Sequence, residues 1–276
     1  MFTPLASVAP TTGAPLAIPT SNILIAGHTP LELMWFIAGL AVITALAVAI
    51  QYSHGMRLGV QICTGILRAA LQLSIIAVLL RGILSMPWTV VFFIALMLTT
   101  ASLTSISRLR GMPYARKAVL IGVLTGGVTG TSAVFALHLV SWNAQNLIAV
   151  AGILIGNAMT AATLSGRAFR EAAVAHRAEV EAWFSLGAVP GVAYRDIAQR
   201  AARNAVVPSV DQTRATGLVT LPGAFVGALF GGASPVEAAM FQLVVLAGIL
   251  LVQAVCTVTV TRTLARNPQL IDDVGH

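Results

Sequence analysis

Charge-free runs recur along the chain at lengths that suit one purpose. Leu33–Ile50 holds no Asp, Glu, Lys or Arg. At about 1.5 Å rise per residue, a helix of that length crosses a hydrocarbon core of about 30 Å. Six further runs give a predicted total of seven spans. They are Leu31–Gln51, Leu58–Leu80, Pro87–Ser107, Ala118–Val140, Gln145–Leu164, Ala215–Gly231 and Val236–Leu264. Most of these runs keep no polar stripe, so the helices they form expect lipid and not water on their outer faces. Pro87 suits the first turn of the third span, and Pro222 lies inside the sixth, the shortest. The stretch Gln51–Arg68 also fits a helix lying along the membrane surface before the chain turns into the second span. The predicted fold class is an all-α polytopic membrane protein with about seven transmembrane helices.

Composition agrees. The chain is 57% hydrophobic and 9% charged, against about 25% charged in a soluble domain. The net charge of +7 does not indicate nucleic acid, because Lys117 is the only lysine and the arginines fall between apolar runs. Fourteen of the sixteen basic residues fall on one side when the spans are threaded alternately. Only Arg81 falls opposite, and Arg68 is inside a span. Excess positive charge marks cytoplasmic loops, so the expected orientation is N-terminus outside and C-terminus cytoplasmic. Residues 1–29 carry Pro, Thr and Ser and no Lys, Arg, Asp or Glu; they are expected to be a flexible exported tail. Residues 30–276 then form one permease domain, with a cytoplasmic segment over 165–214.

Much chemistry is excluded. Lys117 follows no glycine-rich turn, so no phosphate loop can be built. No H-E-x-x-H, C-x-x-C or G-x-S-x-G pattern occurs, and no metal ligand set can be named. His54, His138 and His176 stand apart as loop or interface residues, and Cys63 and Cys256 are expected as small core residues. The chain is therefore expected to be no enzyme and to bind no cofactor itself. Glycines at four-residue spacing (Gly122, Gly126 and Gly130; Gly152 and Gly156; Gly223, Gly227 and Gly231) let helices approach closely, within one subunit or at a dimer seam. Arg68 and Gln72 are four apart and share one helix face. A buried arginine in a span faces protein or a cavity; otherwise it snorkels to the headgroups.

The cytoplasmic segment contains "EAWFSLGAVPGVAYRDI", Glu181–Ile197. Gly187 permits a turn and Pro190 suits the start of a following helix. Ala182, Trp183 and Phe184 offer an apolar knob, with Arg195, Asp196 and Arg200 as a polar rim. Glu181, Ala182, Gly187 and Ile197 resemble the E-A-A-(x3)-G-(x9)-I-x-L-P signature of ABC transporter permeases. The chain departs at Trp183, and Gln199 and Arg200 replace Leu-Pro. The resemblance implies that Glu181, Ala182, Trp183, Gly187, Pro190 and Ile197 couple the chain to a separate ATPase.

A wider resemblance rests on "RAALQL" (Arg68–Leu73), "GILIGNAMT" (Gly152–Thr160), "LGA" (Leu186–Ala188) and "TGLVTLPGAFVGALFGGASP" (Thr216–Pro235), with Gln242 beyond. These blocks look like the FetB-type permease family of bacterial iron export, whose plant relatives include the aluminium-sensitivity half transporters. The resemblance implies a homodimer in the bacterial inner membrane, driven by two copies of a separate ATPase that holds ATP and Mg. It implies iron as cargo, with sugar nucleotides or another organic cargo as the alternative; an ion-gradient transporter is the other class. Asn157 and Met159, from the "GNAMT" block, and Gln242 are expected to converge with Arg68 and Gln72 on a substrate pathway. Family members commonly carry Met-Met-Thr-Gly-Gln after Leu-Pro-Gly, where this chain has Ala224–Ala228. That exchange removes two thioethers, a hydroxyl and an amide that could meet a passing ion.

Overall fold

The computed structural model describes residues 30–56, 58–83 and 87–271. The expected tail over 1–29 and the loop residue Arg57 lie outside them. The described residues are helical almost throughout, in the order α1 (Pro30–Ser53), α2 (Gly59–Ile83), α3 (Pro87–Arg108), α4 (Ala115–Ala136), α5 (Ala144–Ala175), α6 (Arg177–Ser185), α7 (Pro190–Ala193), α8 (Arg195–Ala215), α9 (Gly223–Phe230) and α10 (Pro235–Leu264). Six of these, α1 to α5 and α10, are long and apolar enough to cross a bilayer.

The sixth expected span, Ala215–Gly231, is corrected. α8 ends at Ala215, residues 216–222 form a tight turn around Gly217, and α9 has only 8 residues. At about 1.5 Å per residue α9 is about 12 Å long, too short to cross alone. Gly223 and Gly227 then add flexibility to a segment with no packed face to hold a longer helix.

The described chain divides into two units. One holds the described residues of 30–77 with Leu229–Ala233, and the other holds those of 78–228 with 234–271. In the first, α1 and the start of α2 approach where Val48 packs against Gly59, whose absent Cβ would stand 2.9 Å from a Val48 methyl. Cys63 is exposed there and does not join a core.

The second unit is a bundle of α3, α4, α5, α8 and α10. Its glycines decide how close the helices come. A Cβ on Gly126 would stand 3.0 Å from both the Cys256 Cβ and the Val252 carbonyl, and Gly122 and Gly130 meet Val260 and Val252. The α4 stripe is thus a seam against α10 within one chain. Gly223 and Gly227 have open space around them. Hydroxyls add interhelical bonds: Ser105 Oγ donates to the Met159 carbonyl at 3.0 Å and accepts from Thr163 at 3.1 Å.

These contacts fix helix directions. Leu109 meets Gly166 and Met97 meets Gly152, so α3 and α5 run parallel. Leu154 meets Gly248 and Cys256 donates to the Ala158 carbonyl, so α5 and α10 are parallel too. α4, pairing residue 122 with 260 and 130 with 252, runs against all three. Because α5 and α10 share a direction, the chain between Ala175 and Pro235 must return the whole length of the bundle. α8, the 216–222 turn and α9 make that return in pieces. At 32 and 30 residues, α5 and α10 are about 45 Å long or more and outrun a bilayer core. α8 packs on both of them through Ile197, Ala198, Ala201 and Ala205, one face at helical spacing.

Candidate functional site

α6, α7 and the start of α8, at the far end of α5, hold the residues expected to form a coupling segment. α6 stops in a Schellman turn. The Gly187 N–H donates to the Phe184 carbonyl at 2.9 Å and the Ala188 N–H to the Trp183 carbonyl at 3.0 Å. The turn needs the left-handed backbone that Gly187 supplies at φ 81°. Pro190 opens α7, where its fixed φ and missing N–H cost nothing. The expected helix–glycine–helix is therefore present. Gly187→Ala has room for its methyl but would hold alanine in the left-handed region, at a cost of about 1–2 kcal/mol. The expected result is a melting temperature several degrees lower in detergent, with Gly187→Pro worse because it also removes the N–H donor.

Two coupling assignments change. Ile197 is buried, 6% exposed, on the face of α8 that meets α5 and α10, where it anchors the segment; its small exposed part lines a cleft beside α6. Phe184 turns inward, edge-on to Tyr194 with ring centroids 6.0 Å apart. The outward apolar surface is instead Trp183, Leu186, Val189 and Val192, which are 42%, 81%, 64% and 49% exposed. Ala182 is exposed among them. Leu186, Val189 and Val192 were missed in the sequence because only tertiary packing tells an outward valine from an inward one. Glu181 is exposed and accepts from Arg177 at 2.8 Å within α6, a surface pair of small energetic weight. Beside this ridge lies a cleft of about 220 Å³, with Trp183, Val192 and Ala193 on its apolar side and Glu179, Arg195, Asp196 and Arg200 on its polar side.

The candidate pathway residues do not all meet. Asn157 donates to the Ile153 carbonyl at 2.9 Å, and its Oδ1 accepts from Gln253 Nε2 at 3.3 Å. Gln253 of α10, absent from the sequence reading, is the true partner of Asn157. Gln242 lies eleven residues earlier, about 16 Å along the helix, so it cannot reach Asn157. The two glutamines nevertheless share a face of α10, since eleven residues make three turns. Both are buried, and each has an Oε1 with no hydrogen-bond partner among the described residues. Met159 contributes its backbone carbonyl to Ser105 and Thr163, and its partly buried side chain packs against the core. Arg68 and Gln72 are exposed on α2, in the other unit. Glu237, at the start of α10, closes a capping box with Ser234. No group of three or more potential metal ligands occurs among the described residues.

Six apolar helices long enough to cross a bilayer define a multi-pass membrane protein. The chain belongs to UPF0014, an uncharacterised protein family whose model matches residues 34–268. It is 31% identical over 250 residues to the UPF0014 membrane protein slr1647 of Synechocystis, covering 87% of this chain and 95% of that one. The UPF0014 membrane protein STAR2 of Oryza sativa is 32% identical over 207 residues, 74% of this chain and 72% of its own. The "probable iron export permease protein FetB" of Escherichia coli is 28% identical over 207 residues, 72% of this chain and 79% of its own. No solved structure matches.

Proposed function

We propose that the chain is the membrane-spanning subunit of an ABC-type exporter, coupled through α6–α7 to a separate ATPase. The observation that carries this reading is the outward ridge of Trp183, Leu186, Val189 and Val192 on a glycine-hinged helix at the end of α5. A subunit without an ATP site needs a rigid contact of this kind, and exposed aromatic and aliphatic anchors beside a polar rim suit a protein partner. The unit would be a homodimer in the inner membrane, working with two ATPase copies that hold ATP and Mg. Kinship with FetB favours metal cargo, chiefly iron. A second cargo class, sugar nucleotides or other organic molecules, is favoured by the apolar Ala224–Ala228, where an ion would find no polar or thioether side chain.

The pathway would follow the α5–α10 seam, where Asn157, Gln253 and Gln242 add amide groups to a bundle whose other buried polar side chains there are hydroxyls. Buried polar groups in a membrane interior are retained mainly for function or helix pairing. Co-purification of a phosphate-loop ATPase with the full chain from its host tests the docking reading; a chain purified without any ATPase overturns it.

The proposed orientation has its own test. Ser165 makes a poor probe because it is fully buried. In a Cys63→Ser background, a cysteine at exposed Ser141 is expected to react in intact cells with an impermeant thiol reagent. One at exposed Gln199 is expected to react only after permeabilisation. Labelling at Gln199 in intact cells would reverse the orientation.

A further inference from the structure

Tyr194 stands at the junction of α7 and α8 and is 1% exposed. Its ring meets Phe169 of α5 at 5.6 Å and Phe184 of α6 at 6.0 Å. Its hydroxyl donates to the Gln269 carbonyl at 3.2 Å, 75 residues further along, in the segment that follows α10. That carbonyl is itself fixed. Asn267 Nδ2 donates to it at 3.2 Å, and Asn267 Oδ1 accepts from the Gln269 N–H at 3.2 Å. Asn267 is fully buried, and Ile271 seals the same core. Burial pushes the Tyr194 phenol above its ordinary pKa; like any tyrosine it is protonated, and so able to donate, at physiological pH. One side chain thus joins α5, α6, the α7–α8 junction and the tail of α10.

The connected elements matter. α6 carries Trp183 of the outward ridge, whereas α5 and α10 carry Asn157 and Gln253. Packed aromatic contacts transmit displacement because a close-packed core cannot absorb it. A directional hydrogen bond adds the pull that ring contacts lack. We infer that Tyr194 is a positioning residue that links movement of the docking ridge to the α5–α10 seam, through its ring toward α5 and through its hydroxyl on Gln269 toward α10. The inference rests on the docking reading.

The experiment uses the full chain co-expressed with its ATPase in vesicles. It measures partner affinity, melting temperature and ATP turnover, the last with iron(II) and with a nucleotide sugar as probes and scored with whichever stimulates the parent, for Tyr194→Phe, Asn267→Ala and Gln269→Ala. Tyr194→Phe keeps both ring contacts and removes the hydroxyl. It is expected to leave affinity near the parent value, to lower the melting temperature by only a few degrees, and to lower stimulated turnover about five-fold, the scale of one net hydrogen bond. Asn267→Ala, which frees the same carbonyl, is expected to show the same loss of turnover. Gln269→Ala spares the backbone carbonyl and is expected to match the parent. Parental turnover in Tyr194→Phe would overturn the inference alone, as would affinity, stability and turnover falling in step. A parent chain that retains no ATPase would overturn the docking reading and this inference with it.

Discussion

Trp183→Ala combined with Leu186→Ala is expected to leave the chain inserted and folded while its ATPase is lost during purification. The fold should tolerate the change, because α6 is held by Val180, which is buried, and by Phe184 against Tyr194. Neither altered side chain belongs to that core; Leu186 is 81% exposed. At an interface the situation reverses. Aromatic and aliphatic anchors filling a partner's pocket carry about 2 kcal/mol or more each, so the pair should weaken binding at least about 100-fold. Glu181→Ala should have a far smaller effect, because its ion pair with Arg177 is solvent-exposed and such pairs contribute about 1 kcal/mol or less. Affinity of the purified ATPase for nanodisc-embedded variants measures both. Retention of the ATPase by the double variant would remove the ridge from the docking role.

Gln253→Leu is expected to keep the ATPase bound and to reduce transport more than ten-fold. Leucine has similar volume and suits an apolar bundle, so the fold should persist at a cost of about 1–3 kcal/mol for the Asn157 oxygen left without its donor. What changes is the seam: Asn157 Oδ1 loses its 3.3 Å donor, and the buried amide oxygen on α10 disappears. A cargo that meets polar groups at this depth loses one of the few available, and in a low-dielectric interior each such group counts heavily. Gln242→Leu tests the second oxygen three turns away. Transport in vesicles against iron, other metals and nucleotide sugars reads the outcome and the cargo together. Parental transport in both variants would leave the seam with a packing role only.

The helices were legible in the sequence where length alone decides. α1, α3 and α10 begin and end within two residues of expectation because uncharged runs stop abruptly at polar neighbours. The sixth span misled for a physical reason: Ala215–Gly231 is uncharged, yet Gly217, Pro222 and Gly223 break it, and hydropathy does not count backbone freedom. α5 runs eleven residues beyond its expected end at Leu164. Its last turns leave the apolar zone and pack on α8, which charge-based boundaries cannot anticipate.

The coupling segment was legible as a hinge, because a glycine between two amphipathic helices has one economical backbone solution. Its faces were not. Ile197 and Phe184 turned inward while Leu186 and Val192 turned outward, and local spacing does not reveal where α5 and α10 will lie. Gln253 was missed for lack of a neighbouring polar residue, although its eleven-residue spacing from Gln242 places both on one face of α10. Tyr194 gave no sequence signal at all, since its hydroxyl partner is 75 residues away.

The most direct measurement of the central claim is cargo uptake into inside-out vesicles holding the full chain and its co-purified ATPase, with the proton and sodium gradients collapsed. The account predicts uptake that requires ATP and Mg, continues without either gradient, and is lost in Trp183→Ala/Leu186→Ala. Uptake that proceeds without ATP, or that stops when the gradients are collapsed, would contradict it.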